Sequence, residues 1–166
     1  MKINHFVAAL FACSVAAWLP AQTPAAAVFG KAADNKIYAQ QLVNELMAKN
    51  PDLLVVGFHA IKPGTKDQVM IASNLDRIGK DDDDDDRAVV TERKTICVPN
   101  AKEPNKFEVQ VPMKDATGAI IGAYGFVFLY QAGDDEVELH RKGVKLRDAL
   151  AKKIPNLAAL FAPAKL

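Results

Sequence analysis

Residues 106–130, KFEVQVPMKDATGAIIGAYGFVFLY, decide the fold of this chain. Phe107, Val109 and Val111 alternate with polar residues or proline, and this period of two is typical of a strand with one buried face. The tetrapeptide at 115–118, DATG, predicts a turn, because Asp opens turns and Gly accepts a positive φ. The twelve residues at 119–130 carry no charge and are rich in β-branched and aromatic side chains. The stretch therefore predicts a long antiparallel hairpin whose second strand lies inside a sheet.

The two faces of this second strand differ in chemistry. One face is aliphatic and suits a packed helix; its residues are Ala119, Ile121, Ala123, Gly125, Val127 and Leu129. The other is aromatic and suits a second layer or a ligand pocket; its residues are Ile120, Gly122, Tyr124, Phe126, Phe128 and Tyr130. Glycine is unfavourable inside a strand. We therefore expect Gly125 to lie close to a helix, and Gly122 to leave room for a ligand.

Outward from the hairpin, the sequence predicts further strands and two main helices. An N-terminal helix is predicted over residues 34–49, where apolar residues recur with helical spacing, and Pro51 follows its end. A C-terminal helix is predicted from the acids at 134–136 to Lys152 and Lys153, an order that suits the helix dipole. The remaining segments are strands at 53–61, 68–73 and 96–98, a loop at 74–86 and a short helix at 87–94. The fold class is α+β: a five-stranded antiparallel sheet with a long N-terminal helix on one face and a C-terminal helix.

The first 27 residues have the pattern of a cleavable secretory signal peptide. One lysine precedes an apolar run at 6–19, and small residues then end in Ala25, Ala26 and Ala27. Cleavage after Ala27 is the first choice and after Ala21 the second. Lipidation of a cysteine in the run is the less favoured alternative. The pattern predicts an exported, soluble protein of a bacterial periplasm, with residues 28–166 as one domain and no membrane span.

Composition excludes several classes of function. Without the leader the chain carries 20 basic and 20 acidic residues, so it has no electrostatic footprint for nucleic acid. Ser73 lies outside any G-x-S-x-G motif, and the sequence has no phosphate loop or dinucleotide fingerprint. Cys97 is then the one cysteine of the mature chain, and a buried small residue is its simpler interpretation. We therefore expect a non-enzymatic protein without a cofactor.

The run of six aspartates from Asp81 to Asp86 is the most conspicuous local feature. We call it the aspartate run. Carboxylates bind hard cations such as calcium, but the spaced ligands and glycine of a calcium loop are missing. The first interpretation is an exposed loop in which Asp82, Asp83 and Asp84 can be replaced by Ser with little effect on stability. No metal ligand is assigned, and His59 is interpreted as a satisfied histidine at a strand end.

Several strings resemble those of extracytoplasmic PAS-like single Cache (PDC-like) sensor domains. They are VMIASN at 69–74, IGK at 78–80, VPMKDATG at 111–118 and IIGA at 120–123, in the order of that family. The resemblance implies a ligand site between the sheet and the loop and helix that cross it. It implies as lining residues His59, Ser73, Asn74, Arg77, Lys80 and Tyr124. In that site Arg77 would pair with the carboxylate of an acidic ligand, and Tyr124 would form a wall.

Members of that family are usually anchored by membrane helices, whereas this leader looks cleavable. The resemblance therefore implies a soluble periplasmic, sensor-like module that binds a small molecule. One alternative is a structural or protein-interaction module with a partner in the cell envelope. Another is a cation-binding protein that uses the aspartate run. A pocket between the Tyr124 face and residues 74–87 would favour the first function, and a filled core there would favour the structural alternative.

Overall fold

An antiparallel sheet of five strands, in the order β2-β1-β5-β4-β3, forms the centre of the structure. The structure is a computed structural model and describes residues 29–164. The strands are β1 (Leu53–Ile61), β2 (Gln68–Ser73), β3 (Ile96–Pro99), β4 (Lys106–Lys114) and β5 (Ile120–Leu129). The helices are α1 (Tyr38–Lys49), α2 (Asp84–Thr91), α3 (Glu136–Ala151) and α4 (Leu157–Leu160), and a 3-10 turn covers Ala32–Asp34. The predicted α+β class and five-stranded antiparallel sheet are confirmed.

The hairpin of β4 and β5 organises this sheet as predicted. It pairs from Lys106 opposite Leu129 towards the turn, and β5 lies between β1 and β4. Asp115 Oδ1 accepts hydrogen bonds from the backbone of Thr117 and from the Thr117 hydroxyl, at 2.9 and 2.6 Å. Gly118 completes the turn with a φ of 86°. The turn residues Asp115, Thr117 and Gly118, which the sequence already indicates, therefore set the register of β4 against β5.

The helices lie on both faces of the sheet. Helices α1, α3 and α4 share one hydrophobic core with the strands, and α2 packs on β4 and β5 from the other side. Gly143 lets α3 approach closely, since a Cβ there would lie 2.5 Å from Val109 Cγ1. Between α2 and the sheet, the buried apolar residues are fewer: Val89 of α2, and Ala123 and Val127 of β5. Within residues 29–164, no helix is both long and apolar enough to cross a membrane.

Helices pack on both faces of β5, and the larger core lies on the aromatic face. The rings of Tyr124, Phe126 and Phe128 are fully buried in the main core. Tyr124 packs edge-on against Phe58, with 4.7 Å between ring centroids, and stacks on Phe126 at 5.4 Å. The aromatic face was the better candidate for helix packing, because aromatic side chains bury the most apolar area. The pocket expected on the Tyr124 face is therefore wrong; packed core fills that space.

The expected roles of the two glycines are also wrong. A Cβ on Gly122 would collide with the backbone oxygen of His59. A Cβ on Gly125 would meet only His59 Nε2, at 4.0 Å. Gly122 is therefore required because the backbone of His59 lies too close for a side chain. Gly125 has room beside it for a Cβ.

Two helix starts differ from the prediction. The N-terminal helix begins at Tyr38 rather than Asp34, so the long helix of the prediction has only 12 residues. The preceding chain is held extended, because Ile37 bridges to Pro163 and the Tyr38 N–H donates to the Ala162 carbonyl. Helix α2 begins at Asp84, inside the aspartate run, rather than at residue 87. The leader at 1–27 and its cleavage site lie outside the described residues.

Candidate functional site

A buried histidine forms the centre of a polar cluster on the sheet face that α2 covers. His59 lies on β1, and its Nδ1 is 2.7 Å from Asp82 Oδ1 and 3.5 Å from Asp86 Oδ2. The three side chains are 7%, 0% and 9% exposed. One ligating atom from each lies within 4.8 Å of the others. We call these three residues the His59 cluster.

Backbone pairing along β2 holds the first aspartate of the cluster. The Asp82 N–H donates to the Gln68 carbonyl at 3.1 Å, and Asp81 bridges to Val69. Two residues before Asp82, the Lys80 carbonyl accepts a hydrogen bond from the Met70 N–H at 2.9 Å. Residues 80–82 therefore run alongside β2, and this pairing places the Asp82 side chain next to His59.

The start of α2 holds the second aspartate. Asp83 is the N-cap, and its Oδ1 accepts a hydrogen bond from the Asp86 N–H at 3.2 Å. Acidic residues are favourable in the first turn of a helix, because free N–H groups and the helix dipole attract negative charge. Pairing with β2 directs Asp82 inward and the first turn of α2 directs Asp86 inward, whereas Asp84 is fully exposed. The prediction that the whole aspartate run is exposed is therefore wrong for these two members.

Glycine on the strands makes room for the imidazole. A Cβ on Gly57 would lie 2.7 Å from His59 Nε2, which is too close for any side chain. Gly125 stands opposite Gly57 in the β1–β5 register, so the ring lies over a strip of bare backbone. The ring of His59 can occupy this position because the residue two places before it on the strand is a glycine without a side chain.

The environment of the cluster favours a protonated histidine. Burial acts to lower the pKa of His59, but the hydrogen bond that Nδ1 donates to Asp82 and the charges of Asp86, Asp82 and Asp83 outweigh burial, and the pKa is raised. Burial raises the pKa of Asp86 to about 6, although the charge of His59 acts in the opposite direction. The two carboxylates therefore share one imidazolium inside the protein.

Two buried oxygen atoms on this face lack hydrogen-bond partners among the described residues. They are Asp82 Oδ2 and Gln110 Oε1. Gln110 stands opposite Gly125 in the β4–β5 register and so shares the face of His59. An unpaired buried acceptor costs about 1–3 kcal/mol, so each of these atoms needs an explanation.

A second polar site lies at the other end of α2, where a surface cleft of about 610 Å³ follows the edge of β4. We call it the basic cleft. Its lining residues are Arg93, Thr95, Pro112, Lys114, Gly118, Ala119, Ile120 and Arg147. Strand β3 pairs with β4 only as far as Gln110, so the last four residues of β4 have no β3 neighbour, and two of them, Pro112 and Lys114, line the cleft. Arg147 pairs with Asp148 at 2.9 Å, whereas Arg93 and Lys114 make no ion pair among the described residues.

Comparison with known proteins defines the fold. No family model and no curated protein matches the chain. The chain is similar to the GAF domain of a two-component sensor histidine kinase from Bacillus halodurans, with a TM-score of 0.51, 14% identity and coverage of 74% of this chain and 97% of that one. It is similar to a GAF sensor protein from Burkholderia vietnamiensis, with a TM-score of 0.51, 17% identity and coverage of 72% and 75%. The chain has a GAF-like fold.

A third similar structure is an enzyme. It is free methionine-R-sulfoxide reductase from Neisseria meningitidis in complex with its substrate, with a TM-score of 0.52, 17% identity and coverage of 77% of this chain and 82% of that one. Identities of 17% and below show the fold alone. The similar structures support a fold of the GAF kind, and they do not single out the Cache kind that the sequence strings resemble.

The GAF-like sheet separates two of the residues that were predicted to line one site. Phe58 and Tyr124 meet in the main core, and His59 follows Phe58 on β1, so its side chain lies on the opposite face. The Tyr124 hydroxyl is buried without a hydrogen-bond partner among the described residues, and burial raises its pKa. Tyr124 and His59 therefore do not share a pocket.

The other four predicted residues lie on β2 and the loop after it. Ser73 is buried, and its backbone N–H donates to Gln40 Oε1 at 3.2 Å. The Asn74 side chain is hydrogen bonded to the backbone of β1 at two points, 2.9 and 3.0 Å. Arg77 is exposed and Lys80 is half-buried. No hydrogen bond or ion pair among the described residues joins these four side chains to the His59 cluster, and the Asn74 side chain instead ties the loop after β2 to β1.

Sequence reasoning missed Asp82 and Asp86 as partners of His59, and it missed the three cations of the basic cleft. The aspartates have a partial signal: acidic residues are favourable in the first turn of a helix, which includes Asp86, whereas Asp82 is held by pairing with β2. The cleft has no local signal, because Arg93, Lys114 and Arg147 come from three separate elements.

Proposed function

We propose that this protein is a sensor-like module that binds a small acidic molecule in the basic cleft. The observation that carries the proposal is the convergence of Arg93, Lys114 and Arg147 on one cleft beside an uncovered strand edge. Guanidinium groups bind carboxylates through two parallel hydrogen bonds, and a strand edge supplies further donors and acceptors. A GAF-like fold supports this function, since two of the similar structures are sensor proteins.

The backbone at Arg93 supports a specific role for this residue. It follows the C-cap of α2 with a φ of 57°, in the left-handed region that glycine usually occupies at the end of a helix. An arginine there is less favourable for the backbone than glycine, and strain of this kind concentrates at functional sites. Arg93 therefore contributes its guanidinium to the cleft at a cost in local stability.

The proposed module is non-enzymatic. The GAF-like fold occurs in sensors and in an enzyme, so this part of the proposal depends on side chains. Burial, and to a smaller extent the charge of Glu136, raises the pKa of the Cys97 thiol, so the thiol is a poor nucleophile at neutral pH.

The proposed location is the periplasm. The leader pattern at 1–27 supports export, and the Cache-like strings at 69–74 and 111–118 support a sensor module of the extracytoplasmic kind. Partners of such a module would be its small-molecule ligand and an envelope protein that reads the bound state.

Thermal shift with succinate, citrate and L-glutamate as probes tests the ligand site. At least one probe should raise the melting temperature of the full chain, and Arg93→Gly should abolish the shift. Because glycine suits the backbone at this position, the variant should fold at least as well as the parent. The matched control is Arg141→Ala on α3, outside the cleft, which should keep the shift. No shift with any probe, or equal shifts in the parent and in Arg93→Gly, would refute an acidic ligand in the basic cleft.

A structural or protein-interaction module is the second candidate. The filled core beneath Tyr124 favours it, because the pocket that the sequence resemblance implied is occupied by aromatic rings. The two candidates differ in the thermal shift experiment, since a purely structural module responds to none of the probes.

A further inference from the structure

We propose that the His59 cluster is a binding site for one divalent transition-metal ion of the zinc type. On binding the ion, His59 releases its Nδ1 proton to solvent and supplies Nδ1, and Asp82 and Asp86 each supply a carboxylate oxygen. The site is separate from the basic cleft, which lies at the other end of α2, so the two proposals stand or fall independently.

The geometry of the cluster is close to that of a coordinated ion. Zinc binds imidazole nitrogen and carboxylate oxygen at about 2.0–2.2 Å, so two ligands of one ion are about 3.0–3.5 Å apart. The Nδ1 of His59 is 2.7 Å from Asp82 and 3.5 Å from Asp86. A small outward movement of the imidazole from Asp82 would place an ion between the three groups. Three protein ligands would leave a further position for water or another small ligand.

The charges in the cluster also favour a cation. Two buried carboxylates face one imidazole, and these are the ion pairs that Asp82 and Asp86 make among the described residues. The neighbouring Asp83, Asp84 and Asp85 add further negative charge at the start of α2. A buried negative charge that no positive charge balances is costly inside a protein, and a divalent ion would neutralise both carboxylates.

An unpaired oxygen atom supplies independent evidence. The Asp82 side chain is completely buried, and its Oδ2 has no hydrogen-bond partner among the described residues. This oxygen belongs to the carboxylate that already contacts His59. A bound ion, or water on that ion, would satisfy it.

The ligand set selects the class of ion. Calcium and magnesium are bound through oxygen, and a buried imidazole offers them nothing. Imidazole together with carboxylate suits zinc and its neighbours in the first transition row. The proposed site is therefore different from the calcium site that the whole aspartate run could suggest.

Titration of the tag-free full chain with zinc chloride tests the proposal, after removal of metal with EDTA and dialysis. Calorimetry should show one zinc ion per chain, and zinc should raise the melting temperature by several degrees. Asp86→Asn should weaken binding at least about tenfold, as expected when one of three ligands is lost. The matched control is the double variant Asp84→Asn and Asp85→Asn, which removes exposed charges of the same helix turn and should change affinity by less than about threefold. His140→Gln, a second control, should bind as the parent does.

Three results would overturn the site. They are no zinc binding by the parent, undiminished binding by Asp86→Asn, and calcium binding that the Asp84 and Asp85 double variant loses. If Asp86→Asn fails to fold, nitrogen NMR of the parent gives the answer. One equivalent of zinc should then shift Nδ1 of His59 and leave His140 unchanged, and an unchanged His59 would refute the proposal.

Discussion

His59 and Asp86 couple the stability of the metal-free protein to pH. Both pKa values are higher in the folded protein than their ordinary values, so the folded state binds more protons than the unfolded state. The Asp86 contribution is present below pH 4 and is lost as pH rises to about 6. The His59 contribution is present below pH 6.5 and is lost as pH rises through the raised value. We therefore expect the free energy of unfolding to fall as pH rises from 4 to 8.

Urea unfolding in EDTA at several pH values measures this effect. Each proton bound only in the folded state gives a slope of about 1.4 kcal/mol per pH unit. Asp86→Asn should flatten the profile between pH 4 and 6 and leave the slope at higher pH. The same slope in both proteins over the acid range would show that Asp86 does not titrate as its environment implies.

At the scale of single residues, the sequence located one member of the cluster and not its partners. His59 was interpreted as a satisfied histidine and, by the resemblance, as a lining residue of a ligand pocket; the structure places it against Asp82 and Asp86. The aspartate run was predicted as a uniform exposed loop, because six like charges repel one another. Helix α2 changes that expectation, since its free N–H groups stabilise the charges and its first turn directs Asp86 inward, while pairing with β2 directs Asp82 inward. Replacing Asp82 by Ser is therefore no longer a neutral change.

At the scale of elements, the two glycines of β5 give a direct test of which face of the strand is crowded. Gly122→Ala should lower the free energy of unfolding by about 1–3 kcal/mol, because the new Cβ meets the backbone oxygen of His59. Gly125→Ala should change it by less than about 0.5 kcal/mol, since the space beside it is open. Urea unfolding of both variants decides. Equal losses would mean that Gly125 is also closely packed.

The strands were more predictable than the helices. Local signals predicted the strands: β-branched residues and length for β1, a turn before β2, and a period of two with a DATG turn for the hairpin. The starts of α1 and α2 depend on distant partners: the C-terminal tail holds the chain before Tyr38, and β2 holds Asp82. The assignment of faces failed because it depends on which helix covers which side, and the sequence of one strand does not contain that information.

At the scale of the whole molecule, the total charge is balanced, but negative and positive side chains are separated at the two ends of α2. The helix has Asp84, Asp85 and Asp86 in its first turn, and Arg93 follows its end. Its eight residues span about 12 Å, so the His59 cluster and the basic cleft lie at opposite ends of one short helix. A neutral total charge predicts that the chain has no nucleic-acid surface, but it says nothing of two local sites of opposite sign.

Export is the remaining prediction at this scale, and it decides where both sites operate. The leader at 1–27 should direct the chain across the inner membrane and be removed, because its single lysine, apolar run and small residues suit the export machinery and signal peptidase. Intact-mass measurement of the protein from a periplasmic extract should give an N-terminus at Val28, or at Gln22 if the second cleavage site is used. Ala27→Leu together with Ala25→Leu should block cleavage at the first site and leave the precursor or the Gln22 form. A chain that keeps Met1 in the cytoplasmic fraction, or one that carries lipid on Cys13, would contradict a freely released periplasmic protein.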